Sequence, residues 1–404
     1  MGSVQSFETP KSRGGRPGKI DAPLNKKLSE VKWGEYRLGD LFEVKSYTKR
    51  FDANKVIVLE NGKYPYVVRM SSNNGQKGYI DEDEIYLNEG NTISFGQDTA
   101  TMFYQERPYF TGDKIKILKA KFREFDKNNA QFFLTTMAKS FESFSWGSSS
   151  FSVDIIEKQI ISLPVKGGTI DFDFISSFIA ELEAERIKEL EAYLTVAGLK
   201  DCVLNEAEEL SLSSFDKVVW NKYKIGDLLE KAELSIKNKA FNKKTDLSTS
   251  QDDAHTIPVT NAKFGDNGIM FWAKKDDFET VSMTIDIVQN GAIATGKVYP
   301  QPQETGVLWD SYLLKLKEFL PTKEILFFLT TAIERSIREK YTYEYKAYWS
   351  KIQDEYIMLP SRNGHPDYDC MAIFISAIQK KVIKDVVLFT NQRIEAAKEI
   401  VNKY

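Results

Sequence analysis

The sequence repeats itself, and this tandem repeat constrains the fold more than any other feature of the chain. The segment Phe132-Phe-Leu-Thr-Thr136 recurs without change as Phe327-Phe-Leu-Thr-Thr331. Well upstream of each, Trp33-Gly-Glu-Tyr-Arg-Leu-Gly-Asp-Leu41 is matched by Trp220-Asn-Lys-Tyr-Lys-Ile-Gly-Asp-Leu228. Because these landmarks keep their order while the spacing between them changes, we expect one framework used twice, with surface loops that have diverged.

A long helical pattern closes each copy behind a Leu-Pro pair. The first pattern follows Leu163-Pro164 and Asp171, and the second follows Leu359-Pro360 and Asp367. Apolar residues recur on one face of each pattern at helical spacing, and we predict that the two faces pair. The predicted pairing residues are Ile175, Ile179, Leu182, Ile187, Leu190 and Leu194 in the first helix and Ile378, Ile383, Val387, Ile394 and Val401 in the second.

The length of these helices points to a connecting role. About 30 residues at a rise of 1.5 Å give a rod of roughly 45 Å, which is longer than a compact module needs for its own core. The pattern therefore predicts an antiparallel coiled coil that joins two modules about an approximate two-fold axis. The alternative is that each helix packs only onto its own module.

Each copy begins with short β-rich runs and ends with an amphipathic helix. Val56-Ile-Val-Leu59 and Lys114-Ile-Lys-Ile-Leu118 predict strands, while Asn74-Gly75 and Asn267-Gly268 predict turns. The helical patterns cover about residues 128–144 and 323–341. Each copy is therefore interpreted as a compact mixed α/β module.

The predicted fold class is α+β, with two tandem-repeated mixed α/β modules separated by long helices that pair as an antiparallel coiled coil. Residues 1–30 contain Gly, Pro, Ser and scattered Lys and Arg, which predicts a disordered basic tail. The remaining predicted boundaries are a first module at 31–165, a central helix at 166–200, a linker at 201–217, a second module at 218–361 and a C-terminal helix at 362–404.

Bulk composition excludes several classes of protein. No apolar run approaches the roughly 18 residues needed to span a bilayer, and no apolar signal core is present, so the predicted location is the cytoplasm. Cys202 and Cys370 are far apart, and His255 and His365 have no metal-ligand spacing. The net charge of −3 does not exclude a DNA partner, because acidic segments can offset basic surface elsewhere.

No catalytic motif is present. The chain has no glycine-rich nucleotide fingerprint after a strand, no Gly-Lys-Ser/Thr phosphate loop, and no Asn/Asp-Pro-Pro-Tyr/Phe tetrapeptide of the kind that amino-methyltransferases use. A nuclease-like pattern of carboxylates and a lysine can be drawn through Asp40, Glu43 and Lys45. The second copy has Ala232 in place of the lysine, which argues against catalysis there.

Polar and aromatic loop residues are the best candidates for binding. Asn, Gln, Arg, Ser and Thr side chains can form hydrogen bonds with base edges, while Lys can bind phosphates. The interleaved Tyr, Trp and Lys residues at 340–351 are typical either of a nucleic-acid surface or of a helix end that leads into a strand. Corresponding loops differ strongly between the copies, as two recognition units with different targets require. The candidates are Arg69, Ser71, Ser72, Asn73, Asn74, Gln76, Lys77, Gln97, Thr99, Trp146, Ser148 and Ser149 in the first copy, and Thr260, Asn261, Lys263, Lys274, Gln289, Asn290, Lys297, Tyr341, Tyr343, Tyr345, Lys346 and Tyr348 in the second.

The ordered recurrence of these features resembles the specificity subunits of type I restriction-modification systems and the similar subunits of type IIB systems. The resemblance spans about residues 31–404 and rests on the Trp-to-Leu segments, the Gly90…Phe103-Tyr104…Gly112-Asp113 pattern, both Leu-Pro pairs and both long helices. The Pro-x-x-x-Gln pattern common after the Leu-Pro pair in type I subunits is absent, and Asp171 and Asp367 stand there instead. This departure favours the type IIB-like branch.

The resemblance carries expectations about function. In that family each module is a target recognition domain that binds one half of a split DNA site, while the helices set the distance between the halves and dock methylation subunits. It implies a non-catalytic chain whose partners are double-stranded DNA, two DNA adenine methyltransferase subunits and, in systems that cleave, a restriction subunit. S-adenosylmethionine is expected in the methyltransferase partner, and neither a cofactor nor a metal is expected in this chain.

Two other functions remain open at this stage. A module that bridges proteins or glycans through two similar domains would show no salt-dependent affinity for DNA, whereas DNA binding weakens steeply as salt rises. A nuclease would cut DNA in the presence of a metal and would lose that activity when Asp40 or Glu43 is replaced.

Overall fold

The structure is a computed structural model that describes residues 22–142 and 151–401. The chain divides into two compact units, residues 1–190 and 191–404, and the boundary falls inside a long helix. The two units repeat the same order of elements. This confirms the predicted α+β fold with two tandem modules.

The first unit combines short strands with a few helices. Its helices are α1 (Ala22–Glu30), α2 (Leu38–Leu41), α3 (Ala130–Phe141), α4 (Val153–Glu157) and α5 (Phe172–Val196), the last of which continues into the second unit. Its strands are β1 (Trp33–Arg37), β2 (Phe42–Ser46), β3 (Pro65–Val67), β4 (Gln76–Tyr79), β5 (Thr92–Gly96), β6 (Met102–Gln105), β7 (Phe110–Thr111), β8 (Ile115–Ala120), β9 (Ile160–Lys166) and β10 (Thr169–Ile170).

Three small sheets build the first module. Strands β2, β8, β5 and β6 form an antiparallel sheet in that order, and β3 pairs antiparallel with β4 and parallel with β7. Helix α3 supplies Phe133 to the core, where it meets Phe42 and Phe125 edge to face. Such aromatic pairs stabilise a core beyond the apolar area they bury.

The second unit repeats this plan and adds one short strand. Its helices are α6 (Glu206–Ser213), α7 (Ile225–Leu228), α8 (Lys323–Ile337), α9 (Trp349–Ile352) and α10 (Tyr368–Val401). Its strands are β11 (Trp220–Lys224), β12 (Leu229–Lys231), β13 (Leu247–Ser248), β14 (Ile257–Thr260), β15 (Ile269–Ala273), β16 (Thr284–Val288), β17 (Val298–Gln301), β18 (Gly306–Val307), β19 (Ser311–Leu316), β20 (Tyr356–Arg362) and β21 (His365–Pro366).

The sheets of the second unit correspond to those of the first. Strands β12, β19, β16 and β17 match β2, β8, β5 and β6, and the parallel pair β14 and β18 matches β3 and β7. The added strand β13 pairs with β15. The extra residues of the second copy therefore lie early in the module, before its shared framework resumes.

The first strand of each module pairs with the long strand near its end. Strand β1 runs antiparallel to β9 with Trp33 opposite Pro164, and β11 runs antiparallel to β20 with Trp220 opposite Pro360. The tryptophan landmark and the Leu-Pro landmark of the sequence thus form one structural feature. This pairing closes each module just before its long helix begins.

An aspartate caps the start of each long helix. The backbone N–H of Phe174 donates to Oδ1 of Asp171 at 2.9 Å, and that of Cys370 donates to Oδ1 of Asp367 at 3.1 Å. A side-chain oxygen in this position satisfies a backbone donor that the first helical turn leaves without a partner. The two aspartates that depart from the type I pattern therefore serve as helix caps.

The start of α5 belongs to the first module. Ile175 and Ile179, together with Phe178, are buried in the hydrophobic core of the first unit, and Leu182 packs against that core. The prediction that Ile175 and Ile179 pair the two helices is therefore wrong, because the module already covers them. Ile187 and Leu190 further along α5 are half-buried, and Leu194 is buried.

Helix α10 shows a similar change along its length. Its first turns supply Met371 and Phe374 to the core of the second unit. Further along, Val387 is buried, Ile383 and Ile394 are half-buried and Ile378 is exposed, while the side chain of Val401 lies outside the described residues. The pairing of α5 with α10 stays a prediction.

The predicted disordered tail and the predicted linker both contain helices. Residues 22–30 of the predicted basic tail form α1, because Leu24 is buried in the first core; residues 1–21 lie outside the described part of the chain. The predicted linker at 201–217 contains α6, which packs on α10. Glu208 of α6 is buried there and accepts from Ser376 at 2.7 Å and from Lys380 at 3.0 Å.

One predicted strand is absent. Val56–Leu59 forms no strand because Asp52 accepts from the backbone N–H groups of Lys55 and Val56, which makes a turn, and only Leu59 makes a bridge to Tyr79. The predicted strand at Lys114–Leu118 is confirmed as β8, within one residue at its start. None of the helices described is both long and apolar enough to cross a membrane.

Candidate nucleic-acid interface

Three loops of the first module meet at the end of its strands. The backbone N–H of Gly112 donates to the carbonyl of Val67 at 2.8 Å, and that of Gln97 donates to the carbonyl of Lys114 at 2.8 Å. These bonds join the loops that follow β3, β5 and β7. Residues 68–75, 97–101 and 112–114 are called the first loop cluster below.

Asp98 holds two cationic side chains in the first loop cluster. Its Oδ2 accepts from Nη1 of Arg69 at 2.6 Å and from Nζ of Lys114 at 2.8 Å. All three side chains are partly exposed to solvent. Because charge-assisted hydrogen bonds to a carboxylate are directional, this arrangement fixes the guanidinium while leaving it accessible to a ligand.

A second arginine lies in the same cleft. Nη1 of Arg50 contacts Oδ1 of Asp113 at 3.3 Å, and both residues line a cleft with Arg69 and Thr99. The hydroxyl groups of Thr99 and Thr101 hydrogen-bond to each other at 2.8 Å. The predicted residues Arg69, Gln97 and Thr99 are therefore brought together by the fold.

The hairpin loop between β3 and β4 is held by its own asparagines. Asn73 donates to the carbonyl of Gln76 at 2.7 Å, and Asn74 donates to the carbonyl of Tyr104 at 3.1 Å. Their amides therefore stabilise the loop. Ser71, Ser72 and Lys77 are exposed on this hairpin, and Gln76 is half-buried.

The second module assembles equivalent loops through the same backbone hydrogen bonds. Leu308 donates to the carbonyl of Thr260 at 3.0 Å, and Gln289 donates to that of Asp310 at 2.9 Å. Ala347 donates to the carbonyl of Gln289 at 3.1 Å, just as Phe151 donates to Gln97 in the first module. Residues 261–268, 289–297, 308–310 and 338–348 are called the second loop cluster.

Amide and carboxylate groups occupy the centre of the second loop cluster. Nδ2 of Asn290 donates to Oδ1 of Asp310 at 2.9 Å, and Nε2 of Gln289 donates to the carbonyl of Trp309 at 2.6 Å. The indole of Trp309 is exposed. The predicted residues Gln289 and Asn290 thus lie together, beside an aspartate that was not predicted.

Three candidates in the second module are buried and cannot contact DNA directly. Thr260 is fully buried in β14, and Asn261 is 2% exposed, with its Oδ1 accepting from the backbone N–H of Asp310 at 3.0 Å. Tyr341 is 6% exposed, and its hydroxyl donates to Oε1 of Glu355 at 3.1 Å. These predictions were wrong because Thr, Asn and Tyr side chains have two common uses. They can contact DNA bases, but they can also form hydrogen bonds with buried backbone or carboxylate groups, as they do here.

Three exposed tyrosines belong to the second loop cluster. Tyr343, Tyr345 and Tyr348 expose large aromatic surfaces, while Lys346 is half-buried. The ring of Tyr345 has the ammonium group of Lys351 3.6 Å from its centroid. A ring with a cation on its face suits contact with nucleic-acid backbone or bases.

Of the other predicted lysines, Lys263 and Lys297 lie in the second loop cluster and Lys274 does not. Lys263 pairs with Asp266 at 3.1 Å, and Lys297 lies over the ring of Phe264. Lys274 follows β15 at the end opposite the hairpin turn, so the structure does not bring it to the second loop cluster. Trp146, Ser148 and Ser149 lie outside the described residues.

A buried carboxyl group lies in the sheet beneath the second loop cluster. Asp286 on β16 is fully buried, and this burial raises the pKa of its carboxyl group well above the ordinary value. The equivalent residue of the first module is Ser94, which accepts from Nε2 of Gln105 at 3.0 Å. The two modules therefore use different polar groups at one position of a shared sheet.

Several residues of the clusters were missed at the sequence level. Asp98, Lys114 and Asp310 lie in loops that meet only after the strands pair, so their spacing in sequence carries no signal. The sequence held one signal for these positions: a glutamine recurs at Gln97 and Gln289, and the residue that follows it differs between the copies. In the parts of the chain that are described, no group of three or more His, Cys, Asp or Glu residues is placed to hold a metal ion.

Comparisons with known proteins agree with one another. Residues 30–192 match the sequence family described as type I restriction modification DNA specificity domain. The specificity subunit S.BcgI of a type II restriction enzyme from Heyndrickxia coagulans is 25% identical over 356 residues, which cover 87% of this chain and 96% of that protein. The crystal structure of a type I restriction-modification S subunit from M. genitalium has a TM-score of 0.56 and 14% identity, covers 93% of this chain and 95% of that chain, and shows a shared fold.

Proposed function

The chain belongs to the family of restriction-modification specificity subunits, and from this premise we propose that it recognises a bipartite DNA site, with one half bound by each module. It is the sequence-recognition subunit and is not itself the catalyst. The observation that carries the bipartite proposal is the pair of loop clusters. They share backbone hydrogen bonds, yet they present different side chains at equivalent positions.

Such a pair suits two different half-sites. A constant frame fixes the depth and angle at which a module enters the major groove, while the side chains on it select bases. Arg69 and Lys114 offer donors in the first module, whereas Gln289, Asn290 and Asp310 offer amide and carboxylate groups in the second. Two modules that enter successive major-groove faces would place the half-sites about one helical turn or more apart.

The long helices supply the second part of the proposal. We assign to α5 and α10 the separation of the half-sites and the docking of two adenine methyltransferase subunits, in which S-adenosylmethionine would bind. Helix α10 exposes Val382, Val386, Leu388 and Phe389 along its length. A contiguous set of exposed apolar side chains is typical of an interface with another protein.

Co-expression with the methyltransferase subunit of the same system in a methylation-free host tests this function. Modified adenines are then mapped across the host genome with and without this chain. We expect a split motif with a fixed spacer only when both proteins are present. Methylation that is the same without this chain, or a single uninterrupted motif, would contradict the proposal.

A further inference from the structure

Three equivalent positions in the loop clusters carry opposite chemistry. Their equivalence follows from the hairpin registers and from the shared bonds of Gln97 to Lys114 and of Gln289 to Asp310. The aligned pairs are Arg69 with Ala262, Asp98 with Asn290, and Lys114 with Asp310. The first set has a formal charge of +1 and a planar cation, whereas the second has a charge of −1 and no cation.

Arg69 is held in one orientation. Its Nη1 donates to Asp98, and in residues 22–142 and 151–401 no other hydrogen bond from this guanidinium is seen. The side chain is 32% exposed, so Nη2 and Nε remain available as donors to a ligand. Its aliphatic stem passes beside Gly96, where a Cβ would lie 3.6 Å from Cγ of Arg69 and 2.5 Å from the hydroxyl of Thr99. A side chain at position 96 would therefore clash with the paired hydroxyls of Thr99 and Thr101, whereas its contact with Arg69 would be an ordinary one.

Asp98 also balances the charge of the cluster. A lone carboxylate would repel DNA, but Asp98 contacts both Arg69 and Lys114, so the three groups together remain cationic. The geometry combines a favourable field for phosphates with a fixed pair of donors. Among the four bases, guanine presents two acceptors, O6 and N7, that match two parallel guanidinium donors in the major groove.

We propose that Arg69, oriented by Asp98, reads a guanine in the half-site of the first module. The second module has Ala262 at this position and no equivalent guanine reader there, so the two half-sites differ at the corresponding base. Asp98 is a positioning residue, since it acts through Arg69. This inference rests on the proposed function and adds the base and the side chain that selects it.

A purely structural ion pair predicts a different outcome. If the contact between Arg69 and Asp98 only stabilises the loops, its loss lowers the amount of folded complex and reduces methylation of every site equally. A base reader, in contrast, changes which sequences are methylated. The composition of the motif therefore separates the two roles.

The test is a comparison of methylation motifs from the co-expressed complex carrying R69A, R69K or D98N. With R69A we expect one guanine of one half-site to become degenerate and methylation of the original site to fall about ten- to a hundred-fold, while the other half-site is unchanged. Lysine cannot supply two parallel donors, so R69K should be intermediate. D98N should keep the motif and lower the modified fraction.

A matched control is K63A in the same module. Lys63 is an exposed cation paired with Glu84 at 2.6 Å, and it lies before β3, at the end opposite Arg69. We expect K63A to leave both motif and extent of methylation unchanged. Copurification of R69A with the methyltransferase subunit verifies that the variant complex assembles.

The possible failures are distinguishable. A bipartite motif that keeps every guanine in R69A overturns the assignment of Arg69 but leaves the proposed function standing. Relaxation at a base other than guanine also overturns it. If the unaltered chain directs no bipartite methylation, both the proposed function and this inference fail.

Discussion

The hairpin turns of the two modules have the same backbone conformation, but different side chains pack beneath them. Asn74 and Asn267 both have φ of 52°, and each donates its side-chain amide to a carbonyl of the neighbouring strand. The glycine that follows, Gly75 or Gly268, has φ of 73° in both modules. The turn is thus fixed by its own hydrogen bonds and its glycine.

The surroundings of that turn have diverged. A Cβ on Gly75 would lie 3.1 Å from the ring of Phe103, while a Cβ on Gly268 would lie 2.7 Å from Oδ2 of Asp286 and 2.8 Å from the ring of Tyr299. The comparison teaches that backbone hydrogen bonds preserve the module, whereas the side chains beneath and around the loops are free to change. Target specificity can then change without loss of the fold.

Replacement of the turn glycines should give the largest effect. G268A adds a methyl group against a buried carboxylate at positive φ, and we expect a loss of about 3 kcal/mol in the free energy of unfolding. G75A meets a looser contact and should cost about 1–2 kcal/mol. Hydrogen exchange of β14 and β15, compared with β3 and β4, measures each effect in its own module. Equal losses of stability in G268A and G75A would show that the different side chains beneath the two turns have no energetic effect.

The short helices that precede the two modules, α1 and α6, also occupy corresponding positions but make different contacts. In the first unit Lys27 of α1 pairs with Glu181 of α5 at an exposed position, whereas Glu208 of α6 in the second unit is buried against Ser376 and Lys380 of α10. Burial alone would raise the pKa of Glu208, but hydrogen bonds from Ser376, the backbone of Asn205 and Lys380 hold that pKa below its usual value. Only the second unit depends on a buried ion pair here.

Removal of these glutamates should separate the two units. E208A leaves Lys380 without its buried partner and removes the acceptor for the backbone N–H of Asn205, so we expect a loss of about 2 kcal/mol. E181A serves as the matched control, with at most about 0.5 kcal/mol because its pair is exposed. A lowered folded-state pKa means that the contribution of Glu208 is present above the unfolded carboxylate pKa of about 4.3 and is lost as pH falls through the folded value. Urea unfolding of both variants at pH 7, repeated as the pH is lowered to 3, checks both claims. Equal losses in E208A and E181A at pH 7, or a loss in E208A that does not shrink at low pH, would contradict them.

Asp286 should give the smallest effect and one of opposite sign. Because burial raises its folded-state pKa, the folded protein holds this proton more tightly than the unfolded chain. The contribution of Asp286 to stability is therefore fully present below the unfolded aspartate pKa of about 3.9 and is lost as pH rises through the folded value. D286S installs the residue of the first module, and at pH 8 we expect a gain of about 1 kcal/mol.

The control for Asp286 is the reciprocal change. S94D should destabilise the first module increasingly as pH rises, and thermal unfolding across pH 5–8 measures both variants. If D286S is less stable than the parent at pH 8, the carboxylate has a compensating partner and the comparison with Ser94 must be revised.

The sequence predicts the framework well because the repeat records it directly. The tryptophan and Leu-Pro landmarks proved to be paired strands, and the helix predicted at 323–341 was found at Lys323–Ile337. The helical spacing of apolar residues shows that a face is buried but does not show which element covers it. Ile175 and Ile179 were therefore assigned to helix pairing, although they belong to the hydrophobic core of the first unit. A local Asp52 turn likewise overrode the strand propensity of residues 56–59.

The candidate interface was harder to predict. Residue type identified Arg69, Gln289 and Asn290, which the fold brings into the loop clusters. It could not distinguish exposed Tyr343 from buried Tyr341, since both lie in one polar and aromatic run. Burial and the partners of Arg69 are set by strand pairing between distant segments, and that information is absent from local sequence.

The pairing of β1 with β9 and of β11 with β20 has an evolutionary consequence. Since the chain enters and leaves a module on neighbouring antiparallel strands, the two ends of each module lie side by side. Recombination between related genes can therefore replace a whole module through two junctions that are adjacent in space. If the chain directs methylation as proposed, such an exchange would change the recognised DNA sequence in a single genetic step, without any change in the enzymes that act on the DNA.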